Sequence, residues 1–284
     1  MNQDNQWLLQ YAEDHHSQSG EAGILAKVLE VLPETDSWCV EFGAWDGKYK
    51  SNTFELIDKR GYHAVLIEGS TERFADLTQT FAGNDRVYPV NAFVGFEPDD
   101  NLDTLLRETP IPANFDLLSI DIDGNDYHVW EACAVYQPKL VLIEYNPTIP
   151  SAVEFVQPRD MSLNQGNAIK SVVELGKRKG YKLICVTALN CLFVRREYFE
   201  LFGIADNSVH ALRPDESKVT WVFNGYDGTV FMRGYGRLGW HRIPYRERGM
   251  QLLPGFLRQF PDSRGPVKKL IAKIYRSVRK RVLR

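Results

Sequence analysis

The chain has 284 residues, 44% of them hydrophobic and 25% charged, with a net charge of −3; this is the profile of a soluble globular protein with room for one large α/β domain plus appendages, or two small domains. No apolar run approaches the ~20 residues that span a bilayer, and the polar, acidic start MNQDNQWLLQYAEDHH has neither the basic nor the apolar region of a secretory leader, so a cytoplasmic protein is expected. Four scattered cysteines (Cys39, Cys133, Cys185, Cys191) form no C-x-x-C pair and read as buried free thiols in a reducing compartment.

Charge is unevenly spread. Nine Lys or Arg and no acid lie in residues 264–284; without them, 25 basic face 37 acidic residues, a net −12. An acidic body argues against general nucleic-acid binding and leaves the basic tail to be explained separately.

In chain order, helices are expected first over residues 5–12 and 21–32, the second with an apolar stripe of Ile24, Leu25, Val28, Leu29 and Leu32. Pro33 and a turn then hand over to a strand, Trp38–Phe42, that stops at Gly43. Helical spacing resumes at Thr53 (Phe54, Leu56, Ile57) and closes at Gly61, and a β-branched run, His63–Ile67, ends on Glu68-Gly69. Strand, glycine turn, helix and strand make the unit of a doubly wound α/β sheet, in which ligands sit outside the carboxyl ends of the strands. Glu68 is placed there to accept hydrogen bonds from two ribose hydroxyls, so a nucleoside is expected. The turn Glu41-Phe42-Gly43-Ala44-Trp45-Asp46-Gly47 lacks the G-x-G-x-x-G that holds a pyrophosphate. Its acids would repel a pyrophosphate and attract a sulfonium and an amino group, which favours S-adenosylmethionine over NAD. A purely structural unit with an acid buried at a turn is the competing reading.

A helix over 71–81 and a strand over 87–94 follow. Asn91, near the end of that strand, could meet the exocyclic amine of an adenine with Ala92 or Phe93 against the ring, or could simply turn the chain. The stretch 115–131, FDLLSIDIDGNDYHVWE, is a buried strand discharging into acids, a glycine and a helix. Asp121, Asp123, Gly124 and Asp126 resemble part of a calcium loop. Counted from Asp121, however, the sixth position is Asp126 where glycine is needed, and the twelfth is Ala132 where a bidentate Glu is needed, so an EF-hand is set aside. The strand over 139–143 ends the same way, on Glu144-Tyr145-Asn146. Adjacent strands would bring Asp121, Asp123, Glu144 and Asn146 to one edge, a hard oxygen set suited to Mg²⁺, Ca²⁺ or Mn²⁺. An ion there could chelate vicinal sugar oxygens and favour the alkoxide; cofactor binding or helix capping is the other use of the same acids.

Residues 150–168 read as a polar loop over that edge, long enough for a lid. A helix over 169–179, a hairpin of residues 181–187 and 190–195, and a short helix over 197–202 come next. From Ala205 the character changes to a hairpin signal over 219–232 with a glycine-rich turn, then Arg233-Gly-Tyr235-Gly-Arg237-Leu-Gly-Trp240-His241-Arg242. Tyr235, Trp240 and His241 are candidates to stack on and bind a sugar, with packing of the appendage as the alternative. Finally, Val267, Leu270, Ile271, Ile274, Val278 and Val282 follow helical spacing with Lys and Arg between them. This basic amphipathic helix has the composition of one lying on an anionic membrane surface; RNA, a partner groove or a disordered tail compete with that reading.

EFGAWDG followed by SNT, then LIEGS, DLLSIDIDGNDY and LIEYNP, resembles in order and spacing the FkbM-type branch of S-adenosylmethionine-dependent methyltransferases over residues 38–195. The resemblance implies an α/β, Rossmann-like class I methyltransferase fold: a mainly parallel seven-stranded sheet with an antiparallel last strand and helices on both faces, here extended by the C-terminal hairpin and basic helix. The chain is accordingly divided into N-terminal helices covering the sheet (1–37), a cofactor-binding core (38–204), an extension (205–262) and a tail (263–284). The resemblance implies O-methylation, often of a sugar hydroxyl of a glycan or natural product. It also implies that Glu41, Gly43 and Gly47 hold the methionine end, Glu68 the ribose and Asn91-Ala92 the adenine, with Ala44, Asp46, Asn52, Thr53, Gly69, Ser70 and Asp121 completing the cofactor set. The chain departs from the family's Asp-x-Glu-Gly at Asp121-Ile-Asp123-Gly124. With Glu144 and Asn146 opposite, these residues are similar to the metal set of catechol-type and macrolide-sugar methyltransferases. His128 is the candidate general base, since imidazole takes a proton near neutral pH, with Asp121 beside it; a packed or solvated histidine is the alternative. The expected function is therefore methyl transfer from S-adenosylmethionine to a sugar hydroxyl held by a divalent ion, on a glycan acceptor that the tail meets at the inner face of a membrane. A metal-independent small-molecule methyltransferase and a non-catalytic nucleoside-fold module are the alternatives.

Overall fold

The computed structural model describes residues 4–213 and 215–282, with the backbone alone given for Val282; the other tail positions, Leu283 and Arg284, lie outside the described residues. The chain forms two compact units, Met1–Glu216 and Ser217–Arg284.

In the first unit, seven strands form one sheet: β1 (Trp38–Phe42), β2 (His63–Ile67), β3 (Val87–Val90), β4 (Leu117–Ile120), β5 (Leu140–Glu144), β6 (Tyr181–Val186) and β7 (Asn190–Arg195). Their spatial order is β3-β2-β1-β4-β5-β7-β6. β1 to β5 run parallel, and β7 is antiparallel to both β5 and β6. This is the Rossmann-like class I methyltransferase fold. Six helices accompany the strands: α1 (Glu21–Val31), α2 (Phe54–Arg60), α3 (Thr71–Thr80), α4 (Leu102–Arg107), α5 (Asp126–Ala132) and α6 (Ile169–Arg178); a short α7 (Val209–Leu212) follows the sheet. The first expected helix is a 3-10 turn, Trp7–Tyr11, whose Trp7 indole donates to the Phe202 carbonyl. α4 and α7 had no clear periodicity because each is only one or two turns long.

The strands are apolar on both faces, as a sheet covered on both sides requires, with Val40, Val65, Leu118 and Val141 fully buried. α6 lies close over β7 because Gly176 has no side chain: a Cβ there would sit 2.8 Å from the Phe193 ring and 3.1 Å from Trp130 of α5. The cysteines are buried and free, and burial pushes the Cys133 thiol up to about 12. Residues 205–213 belong with the sheet: Asn5 accepts from the amides of Ala205 and Asp206, and the buried Arg213 donates to the carbonyls of Pro147 and Ile149.

In the second unit, β8 (Thr220–Asn224) and β9 (Val230–Gly234) form the expected hairpin, β10 (Arg237–Leu238) and β11 (Ile243–Pro244) a smaller one, and α8 (Pro266–Val282) is the basic helix. Among the described residues no helix is long and apolar enough to cross a membrane.

Candidate active site

The register of the parallel strands builds the site. Val90, Ile67, Phe42, Ile120 and Ile143 are partners across five neighbouring strands. The next residue of each strand therefore emerges in one row at the carboxyl edge: Asn91, Glu68, Gly43, Asp121 and Glu144. The chain reverses its winding between β1 and β4, the switch point where such sheets bind ligands. Gly43 and Asp121 stand on either side of that point. Gly43 has φ +73°, and a Cβ on it would lie 2.2 Å from the Asp121 carbonyl oxygen. Both the backbone conformation and the close approach therefore require glycine.

Glu68 joins two loops. It is 5% exposed; one carboxylate oxygen accepts from the Trp45 amide at 2.9 Å and the other from the Ser70 amide at 2.7 Å. The Asn91 amide donates to the Glu68 carbonyl at 2.8 Å, fixing the end of β3 beside it. Phe93 is 73% exposed and lies across Gly69, where a Cβ would come within 2.3 Å of the ring. An aromatic face is thus left open next to Glu68, with Ala92 half-buried between them in sequence. Trp45 (φ +52°) is exposed at the turn and carries the Arg73 guanidinium 3.6 Å above its ring. The Asp46 carboxylate accepts from the amides of Lys48 and Tyr49, closing the turn on itself, and the Ser70 hydroxyl caps α3.

Glu41, Asn52 and Thr53 are buried beneath the turn. Glu41 accepts from the hydroxyls of Ser51 and Thr53 at 2.6 and 2.7 Å and from the Asn52 amide at 2.8 Å, and the Asn52 side chain reaches Ser119 of β4. Burial raises the Glu41 pKa while these three donors oppose it. This geometry gives the three residues a bracing role under the glycine turn.

The acids of β4 and β5 converge. Asp121, Asp123 and Glu144 each present a carboxylate oxygen within 4.8 Å of the others. Asp126 shapes the loop by accepting from the amides of Ile122 (2.9 Å) and Gly124 (2.8 Å), which holds Asp123 at φ +57°. Burial and the neighbouring Asp126, Asp123 and Glu41 push the Asp121 carboxyl up to about 8; burial pushes Asp126 up to about 6, against its two backbone donors. Neither Asp121 nor Asp123 has a salt bridge to Lys, Arg or His among the described residues. Three hard oxygen donors in one small volume fit a divalent cation. Asn146 points its amide elsewhere: its oxygen accepts from the amide and hydroxyl of Thr148, and its nitrogen donates to the Gln165 carbonyl.

His128 is 8% exposed; its Nε2 donates to the Gln157 carbonyl at 2.8 Å, bracing α5 against the following loop, and its buried Nδ1 has no hydrogen-bond partner among the described residues. Residues 150–168 are no free lid. The buried Gln157 accepts from the amides of Gln165 and Gly166, and the buried Asn167 donates to the Gly124 carbonyl at 2.8 Å. Asn125 donates to the Asp160 carbonyl and Asn164 to that of Asp123. This polar frame holds the Asp123-Gly124 turn from outside. Tyr235, Trp240 and His241 are exposed, in the second unit.

No model of a known protein family matches the chain, and no curated protein of similar sequence was found. Solved structures similar to it include the N-terminal domain of EvdMO1 with SAH bound (13% identity over 61% of this chain and 79% of that one, TM-score 0.39). Others are the glycopeptide N-methyltransferase MtfA complexed with S-adenosylmethionine (14%, 64% and 88%, TM-score 0.38) and a SAM-dependent methyltransferase from Aquifex aeolicus (11%, 68% and 97%, TM-score 0.39).

Proposed function

We propose that the chain is an S-adenosylmethionine-dependent O-methyltransferase that acts on a sugar hydroxyl of a glycan with the help of a divalent ion such as Mg²⁺. The observation that carries this reading is the single row of strand ends in which a glycine turn, a buried acid on β2 and the Asp121, Asp123 and Glu144 cluster share one edge. Each Glu68 oxygen holds one backbone amide and keeps a lone pair for a ribose hydroxyl. The backbone of Gly43 to Gly47 faces the methionine end, and Asn91, Ala92 and the open face of Phe93 take the adenine. Asp121, Asp123 and Glu144 would hold the ion. When bound, S-adenosylmethionine supplies an electrophilic methyl carbon and the ion a Lewis acid for the acceptor hydroxyl. Asp121, at the switch point, orients that hydroxyl, while Asp126 and the Gln157–Asn167 frame keep the carboxylates converged. Tyr235, Trp240 and His241 are proposed to meet the sugar, and the apolar stripe of α8 an anionic membrane surface carrying the acceptor.

The test is transfer of labelled methyl from S-adenosylmethionine to a panel of saccharides. Transfer abolished by EDTA and restored by Mg²⁺ is expected. EDTA-insensitive transfer would remove the ion from the reading, and a protein that neither binds the cofactor nor methylates any saccharide would sink it.

A further inference from the structure

α8 leaves its apolar stripe exposed. Its apolar residues Val267, Leu270, Ile271, Ile274 and Val278 recur at helical spacing on one face, and they are 38–71% exposed. An amphipathic helix ordinarily buries that face and leaves its charges in water. Here neither face is buried: Lys269, Lys273, Arg276 and Lys280, also exposed, recur at i, i+4, i+7 and i+11 and line an open cleft of about 770 Å³, together with Arg264 and Arg279. The floor is Leu252 and Leu253, and no acid lines the cleft. The helix is fastened in this orientation. The Tyr275 hydroxyl donates to the Leu252 carbonyl at 2.7 Å, and Lys268 donates to the Gln259 side chain at 2.9 Å. Arg264 donates to the Leu257 carbonyl at 2.8 Å, while its buried Nε has no acceptor.

Six cations around one concavity repel each other and focus a positive potential into it. An oxyanion with several acceptor oxygens relieves both effects, and Arg and Lys together suit a phosphate. We propose that this cleft is a binding site for a phosphate or diphosphate group, carried by a soluble compound or by a membrane lipid. The site lies wholly within the second unit, so it stands apart from the methyltransferase reading.

The probe is inorganic pyrophosphate, titrated calorimetrically into the full chain at low and high salt. Saturable binding that weakens with salt is expected, falling about tenfold or more in K273A/R276A through loss of two charge-assisted contacts. S-adenosylhomocysteine titrated into the same variant checks that the first unit is intact. Vesicles of phosphatidylcholine with phosphatidylglycerol identify the source: if they displace pyrophosphate the group is a lipid's, and if they do not it is a soluble compound's. Absence of saturable pyrophosphate binding, or binding equal in wild type and K273A/R276A, overturns the proposal. Loss of S-adenosylhomocysteine binding by the wild type would instead count against the proposed enzyme and leave this site standing.

Discussion

The same two strands carry a pair of charged residues at each end, and the two ends are built to opposite rules. Before β4 and β5 stand Asp116 and Lys139, both nearly inaccessible; Lys139 donates to Asp116 at 2.7 Å and to Asp36 at 2.7 Å, and Asp116 also accepts from the amides of Asp36 and Ser37. Burial opposes the Lys139 charge, but the bonds to the two aspartates outweigh it and raise its pKa. After the same strands come Asp121 and Glu144, with Asp123 close by: acid against acid. At the amino edge the protein supplies its own counter-charge, and the result is structural. At the carboxyl edge Asp121 and Asp123 stand beside the switch point with no salt bridge to Lys, Arg or His among the described residues, an arrangement that costs stability until a cation or proton enters.

Mutations can break this contrast. D121A should lower methyl transfer about 10³-fold, the scale of losing a main electrostatic group, while S-adenosylhomocysteine affinity stays near wild type; the metal-free variant should also melt higher, since folding no longer has to protonate a buried acid. K139M should do the reverse, destabilising the fold by about 3 kcal/mol by leaving Asp116 buried and uncompensated, with turnover per folded molecule unchanged. Denaturant melts of the two variants side by side would expose a false contrast if both moved the same way.

Smaller effects sharpen it. N167A removes the bonds to Gly124 and Gln157 and should cost about 2 kcal/mol. Its Mg²⁺ affinity should fall more than its cofactor affinity, because the frame holds the Asp123 turn. The pH dependence follows from Asp121. Its folded pKa of about 8 lies above the ordinary carboxylate value, so the metal-free fold loses stability as pH rises toward 8 and regains it on acidification. A cation must displace that proton, so Mg²⁺ affinity should rise up to about tenfold per pH unit below pH 8 and level off above it. A flat calorimetric profile over that range would contradict it.

Much of this was legible in the sequence because short continuous apolar runs with abrupt acidic ends announce themselves: LIEGS, SIDID and LIEYN each stop on the residue that the register then aligns. What local patterning could not reveal depended on distant partners. Gln157 and Asn167 look like ordinary loop polars, yet both are buried against a turn more than thirty residues earlier. His128 is conspicuous for its chemistry, but the Gln157 carbonyl that orients its ring lies 29 residues away. The Ser51 and Thr53 hydroxyls that fold beneath the turn to meet Glu41 were likewise not legible from the strand alone. For α8 the spacing predicts the helix and its two faces but not that both stay exposed, since the side that packs is decided by Leu252, Gln259 and their bonds to Tyr275 and Lys268.

The most direct test of the carboxyl edge as a cofactor and metal site is calorimetric titration with S-adenosylhomocysteine, with and without EDTA, followed by Mg²⁺ into the complex. Micromolar S-adenosylhomocysteine binding in both conditions is predicted, together with a saturable Mg²⁺ signal that D121A abolishes. No S-adenosylhomocysteine binding in either condition would contradict the account and favour a non-catalytic role for the fold.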